Sequence, residues 1–256
     1  MDSLTLLRKY TRHLNIAITD SGNNALMEAL RVLRRLSNRF VVLVPDQGVS
    51  INYKDLVRKA GFEPIELKTN RGVISLDILR SRISNAAGLI MPSFAGFYAE
   101  QPIKEIGKIC KQNACVLIED ASGSIGDNLL CDGSVSDIIF GDFGNWNLIN
   151  YGKYGFISSN YNLNLRSVEY EFGLDQQLES ASRRLFQLLK LSDSVKRDLG
   201  LMDVDIFHRD KRGLNIVTAY SQDVIDYCNN KGYEYVICPK YNKVIEKAIS
   251  IELKRM

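Results

Sequence analysis

Histidine is scarce and paired cysteine absent in this 256-residue chain. There are two histidines, His13 and His208, and five cysteines, at 110, 115, 131, 228 and 238, none in a CxxC pair. Such spacings exclude the common structural zinc sites. An odd count of dispersed cysteines argues against a disulfide framework, leaving reduced thiols in the core or loops. No apolar run approaches the ~18 residues of a membrane span. The opening stretch MDSLTLLRKYTRHLN is polar and lacks the apolar core of a signal peptide, which places the expected location in the cytoplasm.

Charge is also scarce as a net quantity. Thirty-three basic against thirty acidic residues leave a formal +3, too little to imply nucleic acid. The densest basic groups are Arg31, Arg34, Arg35 and Arg39, then Arg183 and Arg184, then Arg209, Lys211 and Arg212. They read as solvated faces, with a nucleic-acid or ribonucleoprotein surface as the lesser reading.

What is present is a soluble composition, 45% hydrophobic and 25% charged, with helix and strand patterns in alternation. That order predicts an α/β fold with a mainly parallel central sheet. ALMEALRVLRRL carries helical apolar spacing behind Ser21-Gly22-Asn23-Asn24, which offers caps. FVVLV, GLIMPS and ACVLIED are near-continuous apolar runs, as buried parallel strands should be. Helices are expected over 51–60, 75–83 and from Pro102 to Gln112, and further strands over 64–67, SDIIFGDF and YGFISS. Beyond residue 160 the chain turns polar, with a helix over 176–191, then LNIVTAY, a helix over 222–231 and YEYVICP. The expected division is a large α/β domain over 1–165, a helical connector over 166–212 and a small α+β unit over 213–256.

Four segments, in order, resemble the DegT-type sugar aminotransferases, whose fold is that of the aspartate-aminotransferase-like enzymes dependent on pyridoxal phosphate (PLP). SGNNALMEAL is similar to their SGTxAL, and LIEDASGSIGD to their VIEDAAQAxG. DGSVSD with GDFGNWNLINYGKYGFISS resembles GSxGD, FSFxxxK and GEGG, and VIDYCNNKGYEYVICP echoes a segment of their small domain. The resemblance spans about residues 20–160, and more weakly 214–240.

The resemblance implies a role for each matched position. Asp120 falls where the family pairs an aspartate with the pyridinium nitrogen; capping the following turn is the alternative. Gly22, Asn23 and Asn24 fall on the phosphate loop at a helix N-terminus. The Schiff-base lysine position, reached both from Asp137 and from Gly152 without a gap, holds Asn147. Asn cannot form an imine, and the nearest lysine, Lys153, belongs to the glycine motif. The phosphate-binding serine becomes Asp142, whose charge would repel a phosphate by about 4 kcal/mol per charge pair at 4 Å and an effective dielectric near 20. The glutamine becomes Gly123, and the ring-stacking aromatic falls near Val49 or Ser50. Trp146, the single tryptophan, reads as core packing or as a ligand platform.

These replacements lead to the expectation of a non-catalytic protein with the aminotransferase fold, no cofactor, and a binding or scaffold role. The family's shared active sites imply a homodimer or a heterodimer with a paralogue. The alternative is a sugar aminotransferase, or a lysine-free dehydratase, that uses PLP or pyridoxamine phosphate (PMP) in making nucleotide-linked or cell-surface sugars.

Overall fold

The structure is a computed structural model that describes residues 1–171 and 173–256. Helix α1 (Ser3–Thr11) begins at Asp2, whose carboxylate accepts the Thr5 N–H at 2.8 Å. Strand β1 (Asn15–Thr19) leads to α2 (Gly22–Leu36), then β2 (Val41–Pro45), α3 (Tyr53–Lys59) and β3 (Glu63–Leu67). A minimal hairpin, β4 (Thr69–Asn70) with β5 (Val73–Ile74), precedes α4 (Leu76–Arg82) and β6 (Ala86–Pro92). A second, β7 (Phe94–Ala95) with β8 (Ala99–Glu100), precedes α5 (Ile103–Gln112). Strands β9 (Val116–Asp120), β10 (Ile138–Asp142) and β11 (Gly155–Ser159) follow. Then come α6 (Leu174–Gly200), β12 (Ile216–Ala219), α7 (Gln222–Lys231), β13 (Tyr235–Ile237), β14 (Ala248–Ile251) and a 3-10 turn over Leu253–Arg255.

Seven strands form the main sheet in the order β1-β11-β10-β9-β6-β2-β3. The run β10-β9-β6-β2-β3 is parallel, and β11 and β1 join one edge antiparallel. All seven residues of β6 are buried, which explains their unbroken apolar character. Helix α2 lays Ala25, Leu26, Ala29, Leu30 and Leu33 on one face of the sheet, while α5 buries Ile106, Ile109 and Cys110 in a separate core cluster. A smaller antiparallel sheet, β12-β14-β13, packs with α7 and the end of α6.

The predicted α/β class and mainly parallel sheet hold. Three elements differ from the sequence reading. Helix α6 runs 27 residues rather than 176–191, because Leu178, Ala181, Leu185, Leu188, Val195 and Leu199 keep one apolar face along its length. Helix α1, not foreseen, docks on α6 through Tyr10 Oη to the Leu178 carbonyl at 2.8 Å and the N-terminal amine to Glu179 at 2.9 Å. Strand β1 is the third.

The arginines of the first basic cluster have local partners. Arg34 lies 4.5 Å from the Phe40 ring, Arg35 donates to the Asn162 carbonyl at 2.6 Å, and Arg39 donates to the Ala86 and Asn113 carbonyls. All five cysteines are buried and unpaired. Among the described residues no helix is long and apolar enough to cross a membrane, and no three His, Cys, Asp or Glu side chains are grouped to hold a metal.

Candidate active site

Parallel strands present their carboxyl ends on one edge of the sheet, where ligands of α/β proteins bind. Here that edge, the N-terminus of α2 and the segment 236–255 enclose a cavity of about 760 Å³. Gly22, Asn23, Val49, Ser50, Asp120, Gly123, Asp142, Trp146 and Asn147 all line it, and Asn24 does not. Lys153 is also outside the lining; it is paired with Glu171 and half exposed.

Alternation along β9 sends its two carboxylates to opposite sides. Glu119 is buried in a polar cluster, accepting from Ser93 and Ser136 hydroxyls at 2.6 Å and the Cys131 N–H at 3.0 Å. Asp120 faces the cavity. Its Oδ1 accepts the Ser122 N–H at 2.9 Å and the Ser122 hydroxyl, and its Oδ2 accepts the Tyr53 hydroxyl. Asp120 therefore both caps the turn and meets the cavity. Burial pushes its pKa up, opposed by the Ser122 and Tyr53 hydrogen bonds and assisted by the nearby Asp142 charge.

Asp142 closes the mouth of α2. Its Oδ1 accepts the Gly22 N–H at 3.0 Å and its Oδ2 accepts the Asn147 side-chain amide at 2.6 Å. A Cβ at residue 22 would lie 2.4 Å from the Asp142 Cβ, so this approach needs glycine there. The Asp142 N–H donates to Ser122 Oγ at 2.9 Å. Tyr53, Asp120, Ser122, Asp142 and Asn147 thus form one hydrogen-bonded chain along the strand ends, and Asn147 enters it as an amide donor.

At Gly123 the missing side chain has a physical cause: a Cβ there would stand 2.9 Å from Phe97 Cδ1, so the Phe97 ring takes that volume. Val49 is a core residue with no ring, and Tyr53 and Phe97 supply the aromatic surface. Trp146 corrects the core-packing alternative. The residue is 45% exposed, with a left-handed backbone (φ 69°) and the Arg255 guanidinium 5.2 Å from its ring.

The opposite wall was not foreseen from sequence. It carries Lys240, Lys243, Lys254 and Arg255 against Glu252. Lys243 and Glu252 are a buried pair at 2.8 Å, with Lys243 also donating to the Gly96 carbonyl at 3.1 Å. Lys254 is 6% exposed and its amine donates to the Trp146 carbonyl. Burial, with Lys243 and Arg255 nearby, lowers its pKa to about 7 despite the Glu252 charge. A buried amine whose pKa is brought down towards neutrality is the nearest signal of chemistry in the cavity.

A PLP molecule would fit these residues at its ring end, where Asp120 offers a tethered, half-buried carboxylate. At its phosphate end the Gly22 N–H it would use is already bound by Asp142, so the two anions compete for one donor.

No family model matches the chain. A curated relative, a probable mitochondrial cysteine desulfurase of Dictyostelium discoideum, is 29% identical over 111 residues, which is 42% of this chain and 25% of the relative. The chain thus matches about a quarter of that relative's length. Among solved structures, a DegT/DnrJ/EryC1/StrS aminotransferase from Brucella abortus superposes with a TM-score of 0.71 at 15% identity, covering 97% of this chain and 83% of that one. The NtdA protein of Bacillus subtilis, solved with bound cofactor PMP, superposes with a TM-score of 0.71 at 16% identity, covering 97% and 71%. At such identities the likeness establishes the fold, that of the PLP-dependent transferases.

The relative and the neighbours overturn the expectation of a non-catalytic scaffold: what this chain is similar to are a desulfurase, an aminotransferase and a PMP-bound protein. That expectation rested on the replacements at Asn147, Asp142, Gly123 and Val49 or Ser50, and looked for a substitute amine only at Lys153. The fold supplies a buried amine from the other wall of the same cavity, which a position-by-position count cannot see.

Proposed function

We propose that the chain is an enzyme of the PLP-dependent, transaminase-like class, using PLP or PMP on an amino or carbonyl group of a polar, sugar-like substrate. The observation that carries this reading is Asp120: a carboxylate at the end of a central strand, half-buried, facing a cavity of about 760 Å³ and fixed through both oxygens. The likeness to the Brucella aminotransferase supports the transaminase-like class, the motif resemblance to the DegT-type sugar aminotransferases supports the sugar-like substrate, and the PMP held by NtdA supports the cofactor.

When bound, PLP or PMP supplies an electron sink through its protonated ring. Asp120 would hold the proton on the ring nitrogen. The carboxyl is raised by burial on its own, and a cation beside it restores the ionised form. Ser122 and Tyr53 fix its direction, which limits the reorganisation needed when charge changes beside it. Asn147 donates to Asp142 and carries no titratable proton. The cations at 240, 243, 254 and 255 outnumber Glu252 on the facing wall and favour anionic groups there. In this reading residues 1–165 hold the ring, 166–212 connect, and 213–256 close the cleft. The subunits pair as a dimer in a cytoplasmic setting.

The test is titration of the purified protein with PLP and with PMP, followed by cofactor absorbance and by fluorescence of Trp146. Saturable uptake, weakened about 10- to 100-fold in Asp120→Asn, is expected, since a hydrogen bond to a charged group contributes about 1.5–3 kcal/mol. Uptake of neither compound overturns the reading.

A further inference from the structure

Lys254 sits on the 3-10 turn Leu253–Arg255, directly after the buried strand β14. Its backbone is anchored: the Lys254 N–H donates to Asn215 Oδ1 at 3.2 Å, and Asn215 Nδ2 donates to Glu252 at 3.0 Å. The side chain runs into the cavity past the Phe97 ring, with the amine 4.3 Å from the ring centre. The amine ends on the carbonyl of Trp146, the residue next to Asn147.

Trp146 holds a left-handed conformation, which a non-glycine residue rarely adopts. Its N–H is tied to Asn150 Oδ1 at 3.2 Å. That strained turn faces its carbonyl to Lys254, and backbone strain of this kind concentrates at functional sites. The other buried lysine of the cavity, Lys243, is committed to Glu252 and to the Gly96 carbonyl. Lys254 makes its hydrogen bond to a neutral carbonyl.

We propose that Lys254 is the lysine of this cleft that condenses with a carbonyl compound, doing from the facing wall the chemistry that Asn147 cannot do. The step balances without any redox partner. The neutral amine attacks the carbonyl carbon, the C=O bond is replaced by C=N, and the two amine hydrogens leave with the carbonyl oxygen as one water. A desolvated amine beside other cations is the usual arrangement for a nucleophilic lysine. Its pKa of about 7 supplies the neutral form near neutrality. The neutral fraction there is about a thousandfold that of an exposed lysine, whose pKa is near 10.4. The aldehyde of PLP and the carbonyl of a substrate are two sources of the same group. The inference rests on the proposed function only for the first.

Borohydride trapping separates them. The wild type, Lys254→Met, Lys254→Arg and Lys153→Met are incubated with PLP, or with glyoxylate as an aldehyde lacking ring and phosphate. Each is reduced, and the modified lysine is located by peptide mass mapping. Expected is one adduct, on Lys254, forming at least ~10-fold faster than on exposed lysines. It persists in Lys153→Met, whose lysine lies outside the cavity, and is lost from both Lys254 variants. PLP bound with the adduct on another lysine, or with none, overturns this inference and leaves the proposed function standing. Glyoxylate trapped on Lys254 without PLP uptake does the reverse. Equal labelling of many lysines overturns the inference. Arginine keeps the charge and length, so a folded Lys254→Arg guards against a loss caused by misfolding of the methionine variant.

Discussion

Asp142 is the residue whose replacement tests the electrostatic layout of the cavity most directly. Its carboxylate binds the Gly22 N–H at 3.0 Å, at the positive end of α2. An anion arriving there meets one repulsive charge pair for each of its own charges. At 4 Å and an effective dielectric near 20, each pair costs about 4 kcal/mol, a factor of about a thousand. Asp142 is only half-buried, so solvent and salt reduce this to roughly a hundredfold for a phosphate. Asp142→Asn is the cleaner perturbation. The amide oxygen still accepts from Gly22 and the volume is unchanged, so what is removed is the charge and the acceptor that holds the Asn147 amide. Asp142→Ser removes the charge and also opens space.

Both variants should bind inorganic phosphate and PLP about 100-fold more tightly than the wild type at low salt, with the gap narrowing as salt rises. Fluorescence of Trp146, which lines the same cavity and is the chain's single tryptophan, reports the titration. Thermal unfolding should show a loss of about 1 kcal/mol from the weakened helix-end contact. Phosphate affinities within about twofold of the wild type in both variants would refute the argument, because the anion would then be settling elsewhere.

The buried titratable groups give further tests. Lys254 has a native pKa of about 7 against 10.5 unfolded. Between those values the unfolded chain binds more protons, so this group makes stability rise with pH from 7 to about 10. In Lys254→Met that rise should vanish, and the variant should be more stable at pH 7 by about 1–4 kcal/mol in denaturant titrations. Burial lowers the pKa of His13 to about 4, against the ring's hydrogen bonds to Ser158 Oγ and the Ser136 carbonyl at 3.0 Å each. Its stabilisation is complete above pH 6.5 and is lost as pH falls towards 4. His13→Gln should flatten that part of the acid-unfolding profile, which spans up to about 3 kcal/mol. Lys243→Met strands the Glu252 carboxylate and should cost about 3–5 kcal/mol by chemical denaturation, largely recovered by adding Glu252→Gln. Gly123→Gln forces a side chain against Phe97 and should cost about 1–3 kcal/mol, relieved in the Phe97→Ala background.

The sheet was legible because its strands are buried on both faces, so FVVLV, GLIMPS and ACVLIED could hardly be anything else. β1 was harder to read: at NIAIT it is a five-residue antiparallel edge strand whose side chains are only partly enclosed at its start. α1 was hidden because SLTLLRKYT earns its place by docking on α6, more than 160 residues away, rather than by local pattern. The strand-end side of the cavity was legible for a different reason. Its residues sit at fixed offsets from motifs, and counting to Asn147 from both flanks left no slack.

The facing wall obeys no such count. The stretch IELKRM reads as a solvated basic end, and nothing local distinguishes Lys254 from Lys240 or Lys247. What distinguishes it is the β12-β14-β13 sheet, which turns the segment inward until Asn215 and Trp146, distant in sequence, hold its two ends. Desolvation is a property of that assembled environment, and it is desolvation that makes an amine a nucleophile at neutral pH. A missing lysine in a motif therefore removes one route for an amine into the site, while the chemistry depends on whether any amine arrives there dry. Position 147 answers the first question with Asn, and the fold answers the second with Lys254.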